Sequence, residues 1–367
     1  TTCCVFELLR KAGVPVAYRE QISATEFVAP ACNMIALECI ARRRAAGSVL
    51  KRLPHLKPEK GKPDHRFHKL RIEFFLKTTK SHFTTCLGDD VDLQLGPDPD
   101  LDDPYITNPT ESRWILRHPK KPDYDPTGSI ERSILARDVL PKGVEISALE
   151  ALTRKTFLVL EGAWRMLGCT LYDFKIEFGV TSSGELVVAD VIDNDSWRLR
   201  DANGKEVSKQ LFRDGNSLET VGSAYQAVAK LVQRFRIPNQ AMVYWRGSKH
   251  DAELSYPDVP GYAPVDVIQS AHKSTNVALA ELEELMAAYP DGGVIITCAG
   301  RSNGLGPVVA SHTSWPVISL CPTMKEFPND VWSSLRTPSD DPLMIVASPD
   351  NAVLAALNIL SLANPAA

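Results

Sequence analysis

The chain has 367 residues, 44% hydrophobic and 23% charged, with Lys+Arg 41 against Asp+Glu 45. The formal net charge of -4 means that no global positive field recruits nucleic acid or an anionic membrane, so any phosphate binding has to be local. Length suggests two domains, no apolar run is long enough to span a bilayer, and no secretory signal opens the chain; the 8 scattered cysteines, without CxxC or zinc spacing, fit reduced thiols in the cytoplasm.

Residues 3 to 12 place Val5, Phe6, Leu8, Leu9 and Ala12 at helical spacing and stop at Gly13. The chain opens on Thr1 within that helix rather than on methionine, and a segment upstream of it is expected. Short strands are expected at 14 to 19 and 25 to 28. MIALECIARRRAAGS, residues 34 to 48, begins as a buried strand and delivers Arg42, Arg43 and Arg44 to a Gly47-Ser48 turn. Guanidinium forks beside such a turn make good phosphate ligands, because they donate in pairs and glycine lets backbone N–H groups approach; a solvated basic edge reads the same way. LRIEFFL, residues 70 to 76, is a further strand. From Gly88 to about Pro141 the chain is rich in Asp and Pro, and long loops with little regular structure are expected there. His65 and His68 are three apart, but the neighbouring prolines argue against the helix that would make them a metal pair.

An amphipathic helix is expected from about Ile146 to Leu167. LYDFKIEFG, a polar TSSGE and LVVADVIDNDSWR follow, from 171 to 198, and read as a β-hairpin. The period of two puts Asp173, Lys175 and Glu177 on one face and Phe174, Ile176 and Phe178 on the other. A loop of two residues sets Glu177 opposite Asp190, and one of four sets Asp190 opposite Lys175. Two carboxylates and an ammonium on a rigid sheet suit a Mg²⁺-phosphate site; a solvated face with cross-strand ion pairs is the alternative. Lys209, Gln210 and Arg213 come next, then a helix from about Thr220 to Phe235.

RIPNQ, residues 236 to 240, reads as a linker between a domain at 1–235 and a second at 241–367. Beyond it strands and helices alternate: AMVYW, VDVIQ, a helix from Thr275 to Tyr289, GVIITC, a helix from Leu305 to His312, WPVISL, LMIVA, and a last helix after Ser348. Apolar strands without alternation, joined through helices, indicate a three-layer α/β/α domain around a parallel sheet, with ligands at the carboxyl ends of the strands. Ser248, Asp251, Ser270, His272, Lys273 and the glycine-rich AGRSNGLGP, residues 299 to 307, all fall just past strand ends. His272 is the candidate proton carrier and Lys273 a cation for a carboxylate or CO2.

These motifs resemble the animal-type bifunctional enzymes of purine synthesis, a SAICAR synthetase fused to a class II AIR carboxylase. MIALECIARRRAAGS is similar to the first synthetase signature, with Ala36 in place of the usual proline, and LYDFKIEFG to the second, with Tyr172 at a usually aliphatic position. ADVIDNDSWR follows as in the animal enzymes, and SAHK, AGRSNGLGP, WPVIS and DVWSSLR resemble the carboxylase. The resemblance implies an α/β protein whose first domain is α+β and synthetase-like, lacking within this stretch the small N-terminal lobe that cradles ATP. It implies de novo purine biosynthesis: carboxylation of aminoimidazole ribonucleotide (AIR) with CO2 to give CAIR, without biotin, then ATP-dependent ligation of L-aspartate to give SAICAR.

The same resemblance implies roles for single residues. Glu177 and Asp190 would hold Mg²⁺, with Lys175 near the phosphates. Arg42, Ser48, Asp195, Ser196 and Arg198 would bind the nucleotide, supported by Lys209 and Arg213. In the second half Ser248, Asp251, Ser270, Arg301, Ser302, Asn303 and Gly304 would hold the ribose phosphate around His272 and Lys273. The resemblance also implies a homo-oligomer of octameric order. Pro257, Pro260 and Pro264 depart from it, breaking the helix that the family carries after Ser248. A catalytically impaired paralogue serving as an oligomeric scaffold is the alternative reading.

Overall fold

Alternating apolar and charged positions in two strands build the centre of the first half of the molecule. The computed structural model describes residues 1–96, 98, 101–213, 215–251, 253–300 and 303–367, and for Arg213 the backbone alone. The chain divides into two compact units, Thr1–Arg236 and Ile237–Ala367.

In the first unit the described residues form a nine-stranded sheet from β1 (Cys32–Met34), β2 (Leu37–Arg44), β3 (Arg66–Leu76), β4 (Tyr105–Ile106), β5 (Arg113–Arg117), β6 (Ser129–Leu135), β7 (Thr170–Thr181), β8 (Leu186–Ala189) and β9 (Trp197–Arg200). The order is β6-β5-β4-β3-β2-β7-β8, and β1 and β9 also pair with β7. All of these pairs are antiparallel. Helices α1 (Thr2–Lys11), α2 (Ile146–Met166) and α3 (Leu218–Val232) are the longest helices among the described residues of the unit. The apolar stripe of α2 covers one sheet face: Phe157 and Leu160 are fully buried, and the Phe157 ring meets Phe174 edge-on at 5.3 Å. Each such buried side chain contributes about 1.5–3 kcal/mol. Arg43, on this covered face, forks onto Glu161 of α2 at 2.6 and 2.8 Å.

Three expectations need correction. The hairpin β7–β8 has neither of the even loops: Glu177 pairs with Ala189 and Val180 with Leu186, so the turn holds an odd number of residues. Gly184, at φ +84°, supplies the left-handed conformation that such a turn needs. Asp190 therefore stands opposite neither Glu177 nor Lys175; it lies beyond the end of β8, exposed, with φ +61°. Second, the ionic face of β7 is not solvated, because Asp173 and Glu177 are each 3% exposed. Third, the Asp/Pro-rich stretch is more than loop, since β4, β5 and β6 extend the sheet within it. The motif RWILR supplies the reason: Trp114 and Leu116 point inward and are fully buried while Arg113 and Ile115 stay exposed, an alternation that the surrounding prolines obscure in the sequence.

The second unit is a parallel sheet of β10 (Gln240–Arg246), β11 (Tyr262–Ile268), β12 (Gly293–Cys298), β13 (Val317–Leu320) and β14 (Leu343–Ile345), in the order β11-β10-β12-β13-β14. Val243, Trp245 and Ile295 pack under α4 (Thr275–Ala288) and α5 (Leu305–Ala310). Met242, Tyr244, Ile296 and Ile318 pack under α6 (Pro349–Leu360) on the other face. Burial on both faces explains why β10, β12 and β13 read as continuous apolar runs.

Candidate functional site

Register brings charges from four strands onto the face of the first sheet opposite α2. Asp173 pairs with Arg42 across β7–β2 and with Arg198 across β7–β9, and Ile40 of β2 pairs with Glu73 of β3. Arg42 is 2% exposed; its Nε donates to Glu73 Oε2 at 2.7 Å, one terminal nitrogen to Asp173 Oδ2 at 2.5 Å and the other to Ser48 Oγ at 3.2 Å. Glu73 also accepts from Arg52 at 2.7 Å and Arg71 at 2.6 Å, and Asp173 from Arg198 at 2.7 Å. Burial alone would raise the Glu73 carboxyl, but the three guanidinium groups outweigh it and hold that carboxyl well below the usual range. Four guanidiniums on two carboxylates leave this patch with surplus positive charge.

Two residues further along β7, roughly 7 Å on at strand rise, the sign reverses. Lys175 Nζ donates to Glu38 Oε1 at 2.6 Å and stands 3.7 Å from Glu177. Burial opposes its charge, while Glu38, Glu177 and Asp190 together raise the ammonium's pKa. Both oxygens of Glu177 accept from Lys77 Nζ, at 2.5 and 2.6 Å. Asp103, at the same end, has its carboxyl pushed up to about 6, by burial first and by Glu38 and Asp102 next.

A cavity of about 890 Å³ opens over both patches. Arg42, Ser48, Lys175, Asp190, Asp195, Ser196, Arg198 and Lys209, all singled out from the sequence, line it together with Glu38, Gly47, Lys51, Asp103, Lys120 and Asp173. Gly47, at φ +63°, lies flush against the Arg198 guanidinium, where a Cβ would collide with it. Asp195 accepts from Lys209 Nζ and from Tyr225 Oη, each at 2.5 Å, and Ser196 Oγ donates to Val191 O at 3.1 Å. Glu177 lies beneath the wall, engaged with Lys77. The side chain of Arg213 lies outside the described residues. Among the described residues no group of three or more His, Cys, Asp or Glu converges as a ready metal cage.

Sequence reasoning missed Arg52, Glu73, Lys77, Asp103 and Lys120 as site residues. Glu73 carries a legible signal, a lone carboxylate in an apolar strand two places from Arg71. Lys77 and Asp103 carry none, because only the fold brings them to β7.

In the second unit the candidates fall in the loops after β10, β11 and β12. Ser248 N–H donates to Asp251 Oδ2 at 2.9 Å, and Lys273 N–H to Ser270 Oγ at 3.3 Å. His272 and Lys273 are exposed, and the His272 Nε2 edge abuts Gly304 where a Cβ would collide with it. Asn303 is 2% exposed: its side-chain amide donates to Ser319 Oγ, and its backbone N–H to Ser333 Oγ at 2.9 Å. Arg301 and Ser302 lie outside the described residues. After Asp251 the described residues up to Pro260 form no helix, in keeping with the three prolines.

The family model for SAICAR synthetase matches residues 1–95 and 121–232, and that for AIR carboxylase matches residues 263–367. A Caenorhabditis elegans protein named probable multifunctional protein ADE2 is 35% identical over 378 residues, 98% of this chain and 78% of that protein. The human bifunctional phosphoribosylaminoimidazole carboxylase/phosphoribosylaminoimidazole succinocarboxamide synthetase is 32% identical over 386 residues, 99% of this chain and 79% of that protein. A solved SAICAR synthetase in complex with ADP superposes with a TM-score of 0.44 and 24% identity, over 63% of this chain and 77% of that one.

Proposed function

The chain belongs to the family of bifunctional enzymes that join a SAICAR synthetase to an AIR carboxylase, and from that premise we propose that it catalyses two steps of purine biosynthesis. As a lyase-type carboxylase it carboxylates AIR with CO2. As a carbon-nitrogen ligase it uses ATP to join L-aspartate to the product. The observation that carries the synthetase assignment is the change of sign along one cavity. A nucleotide substrate needs cations for its phosphate and, a few ångströms on, groups that manage phosphoryl transfer and an incoming amine.

In this reading Arg42, Ser48 and Arg198 bind the phosphate of the carboxylated nucleotide, with Lys209, Asp195, Ser196 and Arg213 around its ribose. Asp173 and Glu73 fix the guanidinium planes, so that binding costs little reorganisation. Lys175 neutralises the transferring phosphoryl group, a task of charge and position rather than covalent help. Magnesium would supply further neutralisation when it arrives with ATP. Asp190, exposed on the cavity wall, fits a ligand of that ion. Glu177 does not fit in this arrangement, since Lys77 occupies both of its oxygens.

In the second unit His272 moves the proton at the reacting carbon and Lys273 orients CO2. Ser248, Asp251, Ser270, Arg301 and Ser302 hold the ribose phosphate, and Asn303, pinned to Ser319 and Ser333, keeps Gly304 beside the imidazole. A homo-oligomer forms part of the proposal, to be checked by sedimentation. Among the described residues no helix is long and apolar enough to cross a membrane.

The test is to assay the two half-reactions separately on the full-length protein. CO2-dependent consumption of AIR and ATP-dependent formation of SAICAR from supplied CAIR are both expected; absence of either refutes the assignment for that half.

A further inference from the structure

The synthetase family model passes over residues 96–120, yet that stretch returns to the cavity over β7 at Asp103 and Lys120. Asp103 is held there firmly. Its φ of +56° is left-handed, a conformation uncommon for residues other than glycine and best tolerated by Asp and Asn. Thr78 grips it twice: Thr78 N–H donates to Asp103 Oδ1 at 2.9 Å, and Asp103 N–H donates to Thr78 Oγ1 at 2.9 Å. These bonds use one carboxylate oxygen, and among the described residues no donor reaches the other. Burial and the neighbouring Glu38 and Asp102 make the ionised form costly, with Lys175 as the opposing cation. Strained backbone and an ionised group that costs stability are features that proteins retain at functional positions.

We propose that Asp103 is the acceptor for the ammonium group of the amino-acid substrate in the ligation step. This inference rests on the synthetase reading. L-Aspartate brings two carboxylates and one ammonium. The cavity offers cations freely, but its anions at the Lys175 end are differently engaged. Glu38 carries Lys175 on one oxygen, Glu177 carries Lys77 on both, and Asp190 is assigned to the magnesium ion, whereas Asp103 has no cation on it among the described residues and keeps an oxygen open on the wall. An ammonium docked on that oxygen lies at the end of the cavity where Lys175 meets the activated carboxyl. Once one proton has left the ammonium, the amine lone pair attacks the acyl carbon, the C–N bond forms, and the C–O bond to phosphate breaks. Of the two protons lost from nitrogen, one passes to the departing phosphate and one to solvent.

The experiment compares wild type with Asp103→Asn in the full-length protein. Asparagine keeps the acceptor for Thr78 N–H and tolerates the left-handed backbone. KM for L-aspartate is expected to rise at least about tenfold, the scale of a lost charge-assisted hydrogen bond. KM for CAIR and for ATP should stay within about twofold, and the carboxylase rate should not change. Succinate, which keeps both carboxylates and lacks the ammonium, is expected to inhibit both proteins equally. An unchanged KM for L-aspartate, an equal rise in all three KM values, or an equal loss of succinate affinity overturns the role of Asp103 in an otherwise active enzyme. A wild-type protein that makes no SAICAR overturns the synthetase reading itself.

Discussion

Glu73 and Asp103 are carboxylates of opposite electrostatic character, and titration separates them. Glu73 is held down by three guanidiniums, so its contribution is complete above the unfolded carboxyl pKa of about 4.3 and is lost only as pH falls below that toward its folded value. Glu73→Gln strands Arg52, which is fully buried and stacked 4.1 Å over Tyr105, without a counter-ion. The expected loss is about 3–5 kcal/mol in urea unfolding at pH 7, narrowing as the pH is lowered through 4. Asp103 has a raised folded pKa of about 6, so the native state binds its proton more tightly than the unfolded chain, and stability falls as pH rises from about 4 through 6. Asp103→Asn is therefore expected to be more stable than wild type at pH 7.5, by about 1 kcal/mol after solvent screening, and no more stable at pH 4. Thermal unfolding at the two pH values checks the sign. Alternation made Asp173, Lys175 and Glu177 legible as one face. Their partners were not legible, since Arg42 meets Glu73 across 31 positions and Asp173 across 131, and only strand register selects such pairs.

At the scale of elements, local pattern and tertiary pairing had different reach. The parallel strands of the second unit announced themselves as apolar runs between helices, and α2 by its stripe, because burial imposes those periods directly. Hairpin register depended on whether the turn took an even or an odd number of residues, which composition alone left open; the strands β4, β5 and β6 at one side of the sheet were concealed by proline and aspartate around them. The turn after β2 yields a prediction of its own. Gly47 is left-handed and lies against Arg198, so Gly47→Ala both strains the backbone, at about 1–2 kcal/mol, and pushes the guanidinium off Asp173. CAIR affinity measured by calorimetry should fall at least about tenfold, with carboxylation of AIR unaffected. Equal affinity in the variant would remove Arg198 from the phosphate site.

At the scale of the whole molecule, each unit carries its own core and its own candidate residues. The two chemistries are therefore expected to separate by single substitution. His272→Ala should abolish carboxylation while SAICAR formation from supplied CAIR proceeds at the wild-type rate, and Gly304→Ala, which crowds the same imidazole, should reduce carboxylation without lowering the unfolding free energy by more than about 1 kcal/mol. Loss of both activities in either variant would contradict that separation. The reciprocal bonds between Thr78 and Asp103 have one more consequence. They tie together the two ends of an excursion that leaves the sheet after β3 and returns at β4. With the base of the excursion knotted, the closure entropy of lengthening it grows only slowly, and a change at the tip, where Leu87 stands 87% exposed, is expected to leave the cavity wall in place. An engineer can use this exposed position to graft a reporter or an affinity handle.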